Sequence, residues 1–275
     1  MGILIGAKKL TISIGDICCS IHSENSGFLD ILRARYESFE SLVPATYEIL
    51  VQLVPFPDLS SDNMEDISRI DVKRISTEGV YIIRRKDNPF VATVNTLSRK
   101  VQVKMWESEY CFDSFLRIFY SLTLVDEGGL LLHASSASDG GRANVFFGPS
   151  GSGKTTIARL SQGRTVLTDE LAIIKPWGGR YKVYGTPFWG EFTPGRSNVQ
   201  AELAALYSLK KAQKNSIVPL DKISAVMDLY RCVLFSSDDS QLLSQILDNC
   251  YAVVDKVPIY ELHFRQDPSF WEMLK

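Results

Sequence analysis

No stretch of this 275-residue chain approaches the apolar length of a membrane-crossing helix. The segment from Met1 to Ile14 also lacks a long apolar core followed by a small-residue cleavage site. Both absences point to a cytoplasmic protein with no membrane partner. Cysteine is scarce: Cys18, Cys19, Cys111, Cys232 and Cys250 form an odd set with no Cys-x-x-Cys pair. That argues against a disulfide framework and a structural zinc site, and predicts buried, inert thiols. Net charge is nearly absent, 30 Lys and Arg against 32 Asp and Glu for a formal −2. No global basic field exists to hold nucleic acid, so any anion site must be local. With 45% apolar and 23% charged residues, disorder as the main state is excluded and a folded globular chain is expected. There is no internal repeat and no low-complexity tract.

The first hundred residues read as a small, β-rich α+β unit. Leu10, Ile12 and Ile14 alternate with polar residues, as do Tyr47, Ile49, Val51 and Leu53, while Leu29, Leu32, Tyr36 and Phe39 fall at helical spacing. Pro55 to Asp66 is polar and breaker-rich, which predicts an exposed connection. Strands are then expected at Val80 to Ile83, Val91 to Val94 and Val101 to Met105. Asp113 is placed to cap a helix carrying Phe115, Leu116, Phe119 and Leu122. We therefore divide the chain into residues 1–112 and 113–275. In the second part, Leu130 to Ala134 and Asn144 to Phe147 flank an Asp139-Gly140-Gly141 hairpin signal. Leu171 to Ile174 and Tyr181 to Tyr184 flank Trp177-Gly178-Gly179 as a second hairpin. Helices are expected over Asp221 to Leu234 and Ser240 to Val253, a strand at Ile259 to Phe264, and a last helical turn opening at Asp267-Pro268. Lys210-Lys211 and Arg84-Arg85-Lys86 read as solvated charge runs.

Gly148-Pro149-Ser150-Gly151-Ser152-Gly153-Lys154-Thr155 fits G-x-x-x-x-G-K-[ST] at every fixed position. It follows the strand-like Val145-Phe146-Phe147 and opens the helix-like Thr155 to Leu160, with Thr156 next in line. Glycines let successive N–H groups turn inward around a phosphate, the helix N-terminus adds partial positive charge, and Lys154 reaches the β and γ oxygens. Thr155 offers a hydroxyl to Mg²⁺. Phosphoryl transfer also needs a carboxylate near the metal and, for hydroxyl acceptors, a base. Asp169-Glu170 lies just beyond Val166-Leu167, a strand expected to return beside the loop strand. Glu191, in Gly185-Thr186-Pro187-Phe188-Trp189-Gly190-Glu191, is a second candidate metal carboxylate, and Arg196 a candidate phosphate clamp. His133 ends the run Leu130-Leu131-Leu132 on a strand predicted to pair with the loop strand, which would bring its imidazole near the γ-phosphate.

Two hairpins around such a loop imply a mixed sheet instead of the parallel sheet usual for this motif. Leu132-His133-Ala134-Ser135, Gly148 to Thr156, Leu167-Thr168-Asp169-Glu170 and Gly185 to Glu191 together resemble the HPr kinase/phosphorylase family. The fold of that family is like that of ATP-dependent phosphoenolpyruvate carboxykinase. The resemblance covers residues 125–200 well and the C-terminal tail loosely. It implies an α/β fold with α+β character, a mixed sheet around the loop and the N-terminal β-rich part as a subdomain. It also implies an ATP- and Mg²⁺-dependent kinase acting on a serine of a protein or peptide. Carried over, Asp169 is the base, Glu170 its companion acid, and His133 supports the γ-phosphate. His133-Ala134 and Asp169-Glu170 stand where authentic HPr kinases have His-Gly and Asp-Asp, and the signature that serves phosphorolysis is not found. The chain is in this closer to divergent relatives similar to lasso-peptide serine kinases. Oligomeric state stays open, homo-oligomers included, and the rival reading is a non-catalytic or slowly hydrolysing nucleotide-binding regulatory module.

Overall fold

A computed structural model describes residues 8–56, 70–76, 79–192, 198–235 and 237–274. Most of the predicted Pro55–Asp66 connection, and Arg196, lie outside the described residues. The protein is a mixed α/β structure with two mixed sheets. Contacts divide the chain into an N-terminal unit, residues 1–120 with 235–240, and a C-terminal unit, residues 121–234 with 241–275.

The N-terminal unit holds β1 (Lys8–Ile14), β2 (Ile17–Ser23), α1 (Ser26–Arg35), β3 (Tyr47–Leu53), β4 (Asp71–Ser76), β5 (Val80–Arg85), β6 (Phe90–Asn95) and β7 (Lys100–Met105). The strands form one sheet in the order β1-β2-β3-β7-β6-β5-β4, and α1 packs on β1 and β2. The period-2 expectations hold for Leu10, Ile12, Ile14, Tyr47, Ile49 and Val51, all buried, while Leu53 at the strand end is half-buried. Strand β2 escapes that pattern because its residues are buried on nearly both faces. Asn25 caps α1 by accepting the N–H of Phe28 at 2.9 Å.

The helix expected from Asp113 begins earlier: α2 spans Glu109–Asp126. Ser108 supplies the start, its Oγ accepting the N–H of Tyr110 at 3.2 Å. Asp113 is spent elsewhere. It is 5% exposed and takes the Arg35 guanidinium at 3.0 Å, that of Arg117 at 3.0 Å and the Tyr36 hydroxyl at 3.2 Å. A buried carboxylate needs such partners.

The C-terminal unit carries β8 (Leu130–Asp139), β9 (Arg142–Phe147), α3 (Lys154–Arg159), β10 (Thr165–Thr168), β11 (Leu171–Trp177), β12 (Arg180–Tyr184), β13 (Gln200–Lys211), β14 (Ser216–Pro219), α4 (Lys222–Tyr230), α5 (Ser240–Lys256) and β15 (Ile259–Phe264). Both predicted hairpins are present, β8 with β9 and β11 with β12. Strand β9 runs antiparallel to β8 and parallel to β13; β13 pairs with β12, β12 with β11, and β11 with β8. The pairings therefore close into a ring of five strands, and β10, β15 and β14 extend it.

Two expectations are corrected here. Strand β10 does not return beside β9. It pairs with β8, Thr165 opposite Ser138, because β8 and β13 already occupy both edges of β9. The helix expected through Leu234 stops at Tyr230, since the next residues are taken up by β8. Leu132 bridges Val233, the N–H of His133 donates to the Cys232 carbonyl at 2.7 Å, and the N–H of Leu234 donates to the Leu131 carbonyl at 2.7 Å. Residues 232–234 thus fill the edge of β8 that β9 vacates where the chain turns off at Gly148.

Candidate functional site

The glycine-rich loop is built by what surrounds it. Phe146, at the end of β9, stacks on Tyr207 with centroids 5.5 Å apart, and Ile157 and Ala158 of α3 join the same buried cluster with Leu209 and Phe264. Loop entry and exit are fixed by this packing. Between them the backbone takes left-handed φ values at Gly148, Gly151 and Gly153. At Gly153 a side chain would also collide: an added Cβ would lie 2.5 Å from Cζ of the fully buried Phe264. Glycine there meets two requirements at once, positive φ and close approach.

Lys154 folds back over the loop, donating from Nζ to the carbonyls of Gly148 at 2.9 Å and Pro149 at 3.1 Å. Burial pushes its ammonium below the usual lysine range, while Cys232 and Glu170 oppose the shift. Thr155 and Thr156 are half-buried beside it. The Ser152 hydroxyl is buried with no hydrogen-bond partner among the described residues and sits against Gly148, where an added Cβ would lie 2.9 Å from its Oγ.

Loop and candidate acids line one cavity of about 560 Å³, together with His133. Gly148, Ser150, Gly151, Gly153, Lys154, Thr155 and Thr156 line it together with Asp169, Glu170 and Glu191, whereas Ser152 of the same loop does not. His133 is exposed and lines it as well. Asp169 and Glu170 occupy the tight connection between β10 and β11, where the Thr168 hydroxyl accepts the N–H groups of Glu170 and Leu171, each at 3.3 Å. Asp169 is 2% exposed, its Oδ1 accepting the Gly190 N–H at 2.8 Å and its Oδ2 the Phe192 N–H at 2.9 Å.

Three residues missed by sequence reasoning line the same cavity: Lys211, Arg231 and Cys232. Lys211, expected on a solvated face, ends β13, whose parallel register with β9 sets Ser208 opposite Phe147 and carries the strand end alongside the loop. The clue was positional, since ligands gather beyond the carboxyl ends of parallel strands. Arg231 and Cys232 arrive only through the pairing of 232–234 with β8, which no local pattern announces. All five cysteines are free and buried, as expected. Burial raises the Cys232 thiol pKa, an effect countered by the Gly148 amide and by Lys154.

Among the described residues no cluster of three or more His, Cys, Asp or Glu side chains could hold a metal ion by itself. Mg²⁺ asks less, binding through one or two carboxylates with phosphate oxygens and water. The Thr155 hydroxyl with Asp169 or Glu191, which line the same cavity, is a donor set of that kind. No described helix is long and apolar enough to cross a membrane.

No curated protein matches the chain. A family model described as SynChlorMet cassette protein ScmC matches residues 98–275, a span that contains the whole cavity and leaves most of the N-terminal sheet outside. Since that span exceeds half of its length, the chain belongs to the ScmC family.

Proposed function

We propose that this protein is an ATP- and Mg²⁺-dependent kinase that transfers the γ-phosphate to a hydroxyl, most simply a serine of a protein or peptide. One observation carries the reading: a G-x-x-x-x-G-K-[ST] loop and two adjacent carboxylates line a single cavity. In this reading the loop N–H groups, that of Ser152 among them, receive phosphate oxygens, and Lys154 turns from the Gly148 and Pro149 carbonyls to the β and γ oxygens. Thr155 and an acid of the same cavity would hold Mg²⁺, which would neutralise phosphate charge. Both oxygens of Asp169, the base expected from the resemblance, are engaged by the Gly190 and Phe192 amides, so the half-buried Glu170 takes the acceptor proton as the acceptor oxygen bonds the γ-phosphorus and the bond to the β-bridging oxygen breaks. His133 donates to a γ oxygen. The antiparallel hairpins around the loop agree with the HPr kinase-like, phosphoenolpyruvate carboxykinase-like fold suggested by the sequence resemblance. Dependence on ATP suits the cytoplasm.

Incubation with labelled ATP, Mg²⁺ and peptides encoded beside its gene, with the product mapped by mass spectrometry, tests the reading. A phosphoserine that requires all three components is expected; none across that set, with nucleotide bound, would favour the rival. That rival, a nucleotide-binding regulatory module, draws on one observation, the engagement of both Asp169 oxygens by backbone amides. His133→Ala bears on the same choice. Because His133 is exposed, the variant should melt within about a degree of wild type while transfer slows by about 10- to 10²-fold, the worth of one hydrogen bond to a charged group. Unchanged turnover would remove His133 from the mechanism.

A further inference from the structure

Glu191 reaches the cavity without packing support. Its side chain is 82% exposed, and its ion-pair partner among the described residues is the Arg159 guanidinium at 3.4 Å, itself 57% exposed. Such a pair holds a side chain weakly. What fixes Glu191 is its backbone, and the amides on either side of it, those of Gly190 and Phe192, are both held by the carboxylate of Asp169, at 2.8 and 2.9 Å. The neighbour on one side is shaped for this. A Cβ on Gly190 would stand 3.0 Å from Asp169 Oδ2, so a glycine lets the turn close onto the carboxylate. Further back, the Trp189 indole N–H donates to the Thr186 carbonyl at 2.6 Å, and the Thr186 hydroxyl to the Leu171 carbonyl at 2.7 Å, which ties the approach to the turn onto β11.

We propose that Asp169 is a positioning residue, whose carboxylate pins the 190–192 turn and so holds Glu191 at the cavity as the second acid serving the metal–phosphate group. The proposal rests on the nucleotide reading above. It separates two acids that sequence analysis treated as parallel metal candidates: Glu191 acts on the ligand and Asp169 acts through Glu191. Asparagine at 169 keeps one acceptor oxygen but turns an NH₂ toward the other amide, so one of the two bonds becomes donor against donor.

The test is a double-mutant cycle on the full chain, read by Mn²⁺ affinity in the presence of a non-hydrolysable ATP analogue, followed by electron paramagnetic resonance. Asp169→Asn and Glu191→Gln should each weaken Mn²⁺ binding by about tenfold, the usual cost of losing an outer support or one ligand. The double variant should lose no more than either alone. Amide hydrogen exchange at Gly190 and Phe192 should quicken by about tenfold in Asp169→Asn and stay unchanged in Glu191→Gln, a split that simple destabilisation would not give. Losses that multiply in the double variant, or exchange in Asp169→Asn equal to wild type, would overturn the proposal. If Asp169→Asn does not fold, Gly190→Ala opens the same clamp with both carboxylates in place and should reproduce its losses; wild-type Mn²⁺ affinity there also overturns it. Absence of analogue binding to the folded wild type, by calorimetry, is a different failure, that of the nucleotide reading itself.

Discussion

Lys154→Met should weaken ATP binding by about 10²- to 10³-fold, and the apo variant should melt at or slightly above the wild-type temperature. The first effect follows from the loss of a compact positive charge whose Nζ sits 2.9 and 3.1 Å from two carbonyls at the mouth of the glycine-rich loop. Charge-assisted bonds to two phosphates are each among the stronger interactions a side chain makes. The second follows from the sign of the shift on the ammonium. Burial lowers its pKa in the folded protein, so between folded and unfolded values the unfolded chain binds more protons and stability rises with pH. The ligand-free fold thus holds the ammonium less favourably than the unfolded chain does, and methionine of similar length removes that charge. Calorimetry with ATP and a thermal melt of the apo protein decide the matter. A folded variant with wild-type affinity would refute the phosphate-site assignment, whereas lost affinity with a strongly lowered melting temperature would assign Lys154 to the fold.

Gly153→Ala should cost about 2–4 kcal/mol of stability, or else displace the loop and abolish nucleotide binding. Two penalties combine. Gly153 sits at φ 109°, a conformation that L side chains rarely adopt, and its added methyl would lie 2.5 Å from Cζ of Phe264. The ring cannot swing aside, being fully buried among Leu209, Phe270 and Trp271. Phe264→Leu should recover part of the loss by making room, while the backbone penalty persists. Urea unfolding of both singles and the double measures this, and a Gly153→Ala variant with unchanged midpoint and unchanged ATP affinity would contradict the geometry.

Legibility in the sequence followed chemistry and turns more than strand order. The glycine-rich loop was readable because each of its fixed positions has a local physical requirement, and the two hairpins because Gly140-Gly141 and Gly178-Gly179 mark them. His133 was reachable by one further step, the pairing of its strand with β9, which the structure contains. Strand β13 was not legible. Gln200–Lys211 is rich in Ala, Leu, Glu and Lys, residues that favour helices, yet Ala201, Leu203, Ala205, Leu206, Tyr207 and Leu209 are buried between neighbouring strands. Tertiary context decides such segments. With β13 unseen, Lys211 had no reason to approach the loop. Asp113 failed for a related cause, because a carboxylate fit to cap a helix was instead drawn into a buried pair with Arg35.

The ring of strands in the C-terminal unit also bears on how the protein comes to be folded. Strand β9 finds one neighbour just before it, in β8, but the other some sixty residues later, in β13, where Arg142 pairs with Glu202. The last link is thus a non-local, parallel pairing, the slowest kind to form because a long loop must close before any contact repays it. Until β13 docks, the departure of the chain at Gly148 has no fixed direction, and residues 232–234, still further along, have no finished edge of β8 to cover. The cavity therefore emerges late on the folding route and all together. Refolding followed by far-ultraviolet circular dichroism should show secondary structure accumulating well before the protein regains any affinity for nucleotide, and nucleotide added during that interval should leave the rate of the slow phase unchanged.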